Sequence, residues 1–180
     1  MKKRKFIFFL IFLIFLCFFF FFYLKDKEIR ELNKNLPQGV YFEKRGKDLF
    51  LINKLDGYEL KIPESWGGVS KADYTGQNLG IGGKKEEKWV TITVYEVKKE
   101  KSIEEIINER IKNPEKYNLV EPQLIGKEKI NNLTIIKIKD FGGMMGDVFF
   151  YYFKFKTNLY ELYSDNQESL SEIIEFLEIL

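Results

Sequence analysis

The hydrophobic and polar positions change their period several times along the chain, and each change marks a predicted element. Strict alternation in "KWVTITVYEV" puts Val90, Ile92 and Val94 on one face of a strand and Thr91, Thr93 and Tyr95 on the other. Shorter runs of the same kind predict further strands, in "VYFEKR", "DLFLIN", "GYELKIPESW", "LIGKEKI", "TIIKIKD", "VFFYYFKFK" and "LYELYS".

Two segments have the period of an amphipathic helix instead. "SIEEIINERIK" carries an apolar isoleucine stripe behind a Ser102/Glu105 capping box, and Asn113-Pro114 ends it. "ESLSEIIEFLEIL" has a similar stripe behind Ser169 and Glu172, so the pattern predicts a helix that runs to the end of the sequence.

The order of these elements is several strands, a helix, four strands and a second helix. An α+β fold with one antiparallel sheet and helices packed on it satisfies this order most simply. Turn residues at Arg45-Gly46-Lys47, Asn131-Asn132 and Thr157-Asn158 are placed to join neighbouring strands.

A long apolar run, Phe6 to Leu24, precedes all of these elements. As a helix it would span roughly 28 Å, close to the hydrocarbon thickness of a bilayer. It therefore predicts a transmembrane signal-anchor, along which we place Phe6, Leu10, Leu13, Cys17, Phe20 and Leu24.

The residues around this run bear on its processing and orientation. No small-residue cleavage site follows it, and Leu16 precedes Cys17 where a lipoprotein signal needs a small residue. Four basic residues before the run, against a balanced Lys25–Glu28 after it, predict a cytoplasmic N-terminus. A secreted protein released by signal cleavage is the alternative.

These features divide the chain into four parts. They are a basic cytoplasmic segment (1–5), the anchor (6–24), a juxtamembrane stalk or linker (25–39) that Pro37 and Gly39 interrupt, and an extracytoplasmic domain (40–180).

Composition excludes several kinds of chemistry. The chain has no histidine and one cysteine, so it has no disulfide framework, no thiolate or imidazole metal site and no serine–histidine or cysteine–histidine nucleophile. Without Lys2–Lys5, 25 of the 29 basic residues remain against 27 acidic ones, which gives no electrostatic footprint for nucleic acid. We therefore expect no cofactor, no metal and no nucleic-acid partner.

Two glycine-rich stretches were considered as sites. Gly76–Lys85 lacks the spacing of a phosphate-binding loop, which favours a flexible hairpin or a strand connection, and Gly142–Asp147 reads as a wide turn. As candidate partner contacts at their tips and ends we name Met144, Met145, Asp147, Lys84 and Lys85.

Aromatic residues occupy both faces of the predicted strand "VFFYYFKFK". Either helices cover both sides of the sheet and these rings belong to the core, or one face offers an aromatic patch to a partner.

The order of elements over Asp56–Leu180 resembles that of the PsbP-like superfamily, which includes the extrinsic photosystem II subunit and a Ran-binding import factor. The resemblance is carried by "GYELKIPESW", by "WVTITVYEV" leading into "SIEEIINERI", and by "NLTIIKIKD", "FFYYFKFKTNLYELYS" and the terminal amphipathic helix. It implies an antiparallel sheet sandwiched between helices, and a binding or assembly subunit without catalytic activity. The metal-linked histidines of the photosynthetic branch have no counterpart in this chain.

Together these inferences predict a membrane-anchored, extracytoplasmic binding or assembly domain whose partners are the membrane and another envelope or membrane protein. A carboxylate-dependent envelope hydrolase is the alternative enzyme, and a sensor ectodomain acting through a membrane partner is the third class. A deep pocket that encloses two acids with raised pKa values would favour the hydrolase, and a shallow surface without such a pair would exclude it.

Overall fold

The computed structural model describes residues 12–16, 27–85, 88–142 and 146–180. Over these ranges the protein has an α+β fold with two antiparallel sheets.

The smaller sheet has four strands and joins the two ends of the domain. Its order is β1-β2-β3-β11, in which the last strand of the chain pairs with the third. The strands are β1 (Val40–Arg45), β2 (Asp48–Asn53), β3 (Tyr58–Lys61) and β11 (Leu177–Ile179).

The larger sheet has seven strands in the order β4-β5-β6-β10-β9-β8-β7, so that β4 and β7 are its edges. The strands are β4 (Val69–Thr75), β5 (Asn78–Gly83), β6 (Trp89–Glu96), β7 (Gln123–Ile130), β8 (Leu133–Phe141), β9 (Asp147–Phe155) and β10 (Asn158–Ser164).

Two helices, α1 (Ile103–Lys112) and α2 (Gln167–Glu175), pack on opposite faces of the larger sheet. Arg110 of α1 reaches Tyr152, whereas Ser171 of α2 is hydrogen-bonded to Tyr151. Because successive side chains of a strand point to opposite faces, the two helices lie on either side of β9. The sheet is therefore sandwiched between helices, as the resemblance implied.

Three features differ from the sequence prediction. The strands form two sheets and not one. The stretch Gly76–Lys85 contains β5, which forms a hairpin with β4 around Gly76. The terminal helix is capped by Asn166, not by the predicted Ser169/Glu172 box, and it ends at Glu175 because the residues after it pair with β3.

Other local predictions are confirmed. The Ser102/Glu105 capping box of α1 makes both of its hydrogen bonds. Asn131 and Asn132 both have positive φ, as a two-residue turn between antiparallel strands requires.

One hydrophobic core runs through both sheets. On the α2 face, the rings of Phe153 and Tyr160 stack with centroids 4.6 Å apart, and Tyr58 of the smaller sheet meets Tyr160 edge-on at 6.3 Å. The α2 face of the larger sheet is thus covered by α2 and by the smaller sheet.

The described part of the predicted stalk, residues 27–39, is packed against the domain. Residues 27–33 are helical. The Asn33 amide donates to the carbonyl of Phe42 at 2.9 Å and accepts from its N–H at 2.6 Å. Leu32 and Leu36 pack against the core, and Glu28 pairs with Lys84.

Most of the predicted anchor lies outside the described residues, including Phe6, Leu10, Cys17, Phe20 and Leu24. Residues 12–16 are helical, and Leu13 among them is exposed. None of the helices in the described parts of the chain combines the length and apolar character needed to cross a membrane.

Candidate functional site

An open pocket of about 600 Å³ lies on the α1 face of the larger sheet. Strands β5, β6, β9 and β10 supply its floor, because α1 packs over β8 and β9 and leaves the neighbouring part of this face uncovered. Residues 117–120, which follow α1, form one wall, and the end of β8 forms the rim.

Three aromatic rings from adjacent strands form a corner in the floor. Trp89 and Tyr163 meet at 84° with their centroids 5.6 Å apart, and Phe150 lies 5.7 Å from Tyr163. All three side chains are partly exposed, so apolar ring surface is available to a ligand in the pocket.

A buried ion pair underlies the pocket. The Arg110 guanidinium donates to the carboxylate of Glu161 at 2.6 Å, and Tyr95 donates its hydroxyl to the other carboxylate oxygen at 3.2 Å. The guanidinium lies 4.9 to 5.1 Å from the ring centroids of Tyr95, Tyr117 and Tyr152. This arrangement holds a cation between aromatic rings and a carboxylate.

The environment of this pair shifts the pKa values of its members. Burial lowers the pKa of Arg110, but Tyr152 and Glu161 outweigh burial and raise it above its ordinary value. Burial, together with the charge of Glu161, raises the pKa of Tyr95 to about 12. Arg110 is therefore charged and Tyr95 neutral at physiological pH.

Asp140 fixes the wall of the pocket. Its carboxylate accepts hydrogen bonds from the backbone N–H of Val120 at 3.0 and 3.1 Å and from that of Glu121 at 2.7 Å. Asp140 itself is buried, and it forms no ion pair with any residue in the described ranges. The backbone of the segment after α1 is thus hydrogen-bonded to the end of β8.

Tyr117, in the same wall, is tied to α1 through Glu109. The tyrosine hydroxyl donates to the Glu109 carboxylate at 2.9 Å, which also accepts from Lys101 and Lys116. Hydrogen bonds from Lys101, Lys116 and Tyr117 lower the pKa of Glu109 to about 2.

The predicted contact residues are spread over the molecule. Asp147 begins β9 and pairs with Lys139 at 2.7 Å, whereas Lys84 lies beside Glu28 of the packed stalk. Lys85 is exposed next to it. Met144 and Met145 lie outside the described residues.

The two glycine-rich stretches nevertheless approach the same pocket. Asn78, in the first stretch, and Gly142, which begins the second, both line it. The structure therefore brings together parts of the two predicted contact regions, although not the lysines named in the first.

Sequence reasoning did not single out Trp89, Glu161, Tyr163, Arg110 or Asp140. The first three had a usable signal. Trp89 shares a face of β6 with Thr91 and Thr93 of "KWVTITVYEV", and Glu161 and Tyr163 of β10 pair with those two threonines. The aromatic residues of β9 divide between the core and an open surface. Phe150 lines the pocket, whereas Tyr151 and Tyr152 are buried in the core.

No group of three or more Asp, Glu, Cys or His side chains in the described part of the chain is arranged as a metal site. The pocket does enclose two acids, Asp140 and Glu161, and both are already engaged by the donors given above.

Comparison with known proteins bears on the fold alone. No family model and no curated protein matches the chain. Among solved structures, it is similar to the solution structure of cyanobacterial PsbP (CyanoP) from Synechocystis sp. PCC 6803, at 11% sequence identity and a TM-score of 0.48. The match covers 77% of this chain and 98% of that one.

Proposed function

We propose that this protein is a non-catalytic binding domain, anchored to a membrane and lying on its extracytoplasmic side. The observation that carries the binding role is the open aromatic pocket on the part of the α1 face that no helix covers. Partly exposed Trp and Tyr side chains at the centre of a concave surface are typical of residues that contribute most to binding.

The engagement of the two carboxylates supports binding over hydrolysis. A general acid or base must be able to exchange a proton with the substrate. In this pocket the Glu161 carboxylate accepts from Arg110 and Tyr95, and the Asp140 carboxylate accepts from two backbone N–H groups. Both acids therefore hold parts of the protein together.

Photo-crosslinking at the pocket rim tests the binding role. Val120 is 59% exposed at the rim, and Leu55 is 56% exposed in the turn between β2 and β3, away from the pocket. With benzoylphenylalanine at each position in turn, in membranes of the native host, we expect a discrete crosslinked product from position 120 alone. The same products from both positions, or none from position 120, would contradict the proposal.

The anchor is a separate part of the proposal. It rests on the apolar run Phe6–Leu24, on Lys2–Lys5 before it and on the absence of a cleavage signal after it. We expect the full chain to stay in the membrane fraction after alkaline carbonate extraction and to be digested by protease added from the extracytoplasmic side. Release by carbonate, or protection from that protease, would contradict it.

A further inference from the structure

We infer that the pocket takes the basic side chain of a partner polypeptide, a lysine or an arginine flanked by apolar residues. The inference rests on the proposed binding function and adds the chemistry of the partner. It is carried by the charge of the lining, by the aromatic corner and by the exposed side chains at the rim.

The charge of the lining favours a cation. Two carboxylates, those of Asp140 and Glu161, face the pocket, and the described lining residues include no lysine or arginine. Arg110 lies beneath the floor, and its charge is matched by Glu161 at 2.6 Å. The charge of Asp140 is met only by neutral backbone donors, so the pocket keeps an excess of negative charge.

The aromatic corner supplies a second attraction for a cation. Ring faces carry negative potential and attract ammonium or guanidinium groups within about 6 Å of the ring centroid. The perpendicular rings of Trp89 and Tyr163, and the ring of Phe150 beside Tyr163, are partly exposed in the floor and provide such surfaces.

The protein already uses this chemistry on its own side chain. Two of the rings that hold Arg110, those of Tyr95 and Tyr117, also line the pocket. A guanidinium is thus bound under the pocket by the same combination of rings and carboxylate that the open side offers.

The rim favours a polypeptide over a free ammonium ion. Val120 and Phe141 are 59% and 48% exposed where they border the pocket. Edge strand β7 begins nearby with Leu124 and Ile125, which are 59% and 42% exposed. A cation carried between apolar residues would cover these side chains, whereas a small ion would leave them in water.

Matched tripeptides test the inference. The probes are acetyl-Leu-Arg-Leu-amide and its citrulline analogue, which has nearly the same shape and no charge, with choline as the free ammonium ion. Binding to the full chain in detergent is read from tryptophan fluorescence. The chain has two tryptophans, and Trp66 is fully buried, so Trp89 is the one that a pocket ligand reaches.

We expect the arginine peptide to bind at least tenfold more tightly than the citrulline peptide and than choline. Tyr163→Leu, which removes one wall of the corner, should reduce the preference for arginine at least fivefold. Asp140→Asn should reduce it similarly. Glu178→Gln, the same charge change at an exposed position of β11, should not. Asp140→Asn also weakens the hydrogen bonds to the N–H groups of residues 120 and 121, so it can alter the pocket wall. Tyr163→Leu leaves those hydrogen bonds in place and therefore tests the cation site independently.

The outcomes separate the inference from the function on which it rests. Equal affinity for the arginine and citrulline peptides would overturn the cation site, and equal affinity for choline would overturn the polypeptide partner. If neither peptide changes the fluorescence, the inference fails as well. In each of these cases, crosslinking at position 120 decides separately whether the pocket is a binding site.

Discussion

Arg110 joins α1 to the larger sheet through a buried ion pair with Glu161 of β10. Its side chain and that of Glu161 are only 8% and 9% exposed, and three tyrosine rings surround the guanidinium. A buried charge that loses its partner cannot be rehydrated without opening the structure, so removing either member of such a pair is costly.

We therefore expect Arg110→Met to lower the free energy of unfolding by about 3–5 kcal/mol, because it leaves the Glu161 carboxylate buried and unpaired. Urea denaturation of the full chain in detergent measures this loss. The double variant Arg110→Met/Glu161→Leu should recover most of it, since neither charge then remains buried.

Lys47→Met is the control for this experiment. Lys47 pairs with Glu64 on the surface, where the two side chains are 82% and 72% exposed, so water screens the pair and its loss should change the stability far less. Equal effects of the Arg110 and Lys47 substitutions would show that the buried pair has no special role.

Glu109 gives the pocket wall a dependence on pH. Its pKa is lowered from 4.5 to about 2 in the folded protein, so its bonds to Lys101, Lys116 and Tyr117 stabilise the fold above the ordinary pKa. This contribution is lost as the pH falls from about 4.5 through about 2. The stability difference between wild type and Glu109→Gln should therefore shrink over that range in urea unfolding, with Glu178→Gln as the charge-matched control.

At the scale of elements, the β4–β5 hairpin depends on a close approach at Gly83. A Cβ atom there would lie 3.1 Å from the ring of Trp66 and 3.1 Å from the Cβ of Lys88. Trp66 is fully buried and donates its indole N–H to Glu172 at 2.8 Å, so the ring has no room to move.

We expect Gly83→Ala to destabilise the protein by about 1–3 kcal/mol, as overpacking of a core does. Gly126→Ala on β7 is the matched control. The nearest atom to a Cβ there is 3.9 Å away, and the change should stay within about 0.5 kcal/mol. Thermal unfolding of both variants measures the difference, and equal shifts in Tm would contradict the contact at Trp66.

In the same hairpin, strand β5 was not predicted from the sequence. Glycines at positions 80, 82 and 83 lower the strand propensity of β5, yet Leu79 and Ile81 are buried in the core, and this burial outweighs propensity. Likewise, "LEI" at residues 177–179 continues the helical stripe before it, and only its pairing with β3, more than a hundred residues earlier, makes it a strand. Strands with strict alternation, such as β6, were predictable because a two-residue repeat of apolar and polar side chains is enough to identify a strand.

At the scale of the whole molecule, the end of the described chain closes the smaller sheet and links it to α2. Leu177 is 2% exposed in the shared core, whereas Leu180, three residues later, is 61% exposed. The two sheets should therefore unfold together, with Leu177 contributing to both.

We expect Leu177→Ala to cost about 2–5 kcal/mol and Leu180→Ala less than about 0.5 kcal/mol. Tryptophan fluorescence and far-UV circular dichroism should give coincident unfolding curves for the wild-type chain. Separate transitions for the two sheets, or equal effects of the two substitutions, would contradict this view.

The site was less predictable than the fold for a related reason. Alternation in β6 and β10 already puts Trp89, Glu161 and Tyr163 on one face of the larger sheet, but it does not show that α1 stops short of them. The roles of Arg110 and Asp140 depend on contacts 51 and 20 residues away in sequence, which no local pattern encodes.

The bond between Asn33 and Phe42 has a consequence for how the domain meets a partner. A freely jointed stalk over residues 25–39 would let the domain wander by roughly 20 Å from its point of attachment. With the side chain of Asn33 bonded to both backbone groups of Phe42, the stalk cannot act as such a tether. Under the proposed anchorage, residues 27–39 would therefore not lengthen the reach of the domain from the bilayer, and a partner would have to approach the pocket closer to the membrane than a free stalk would allow.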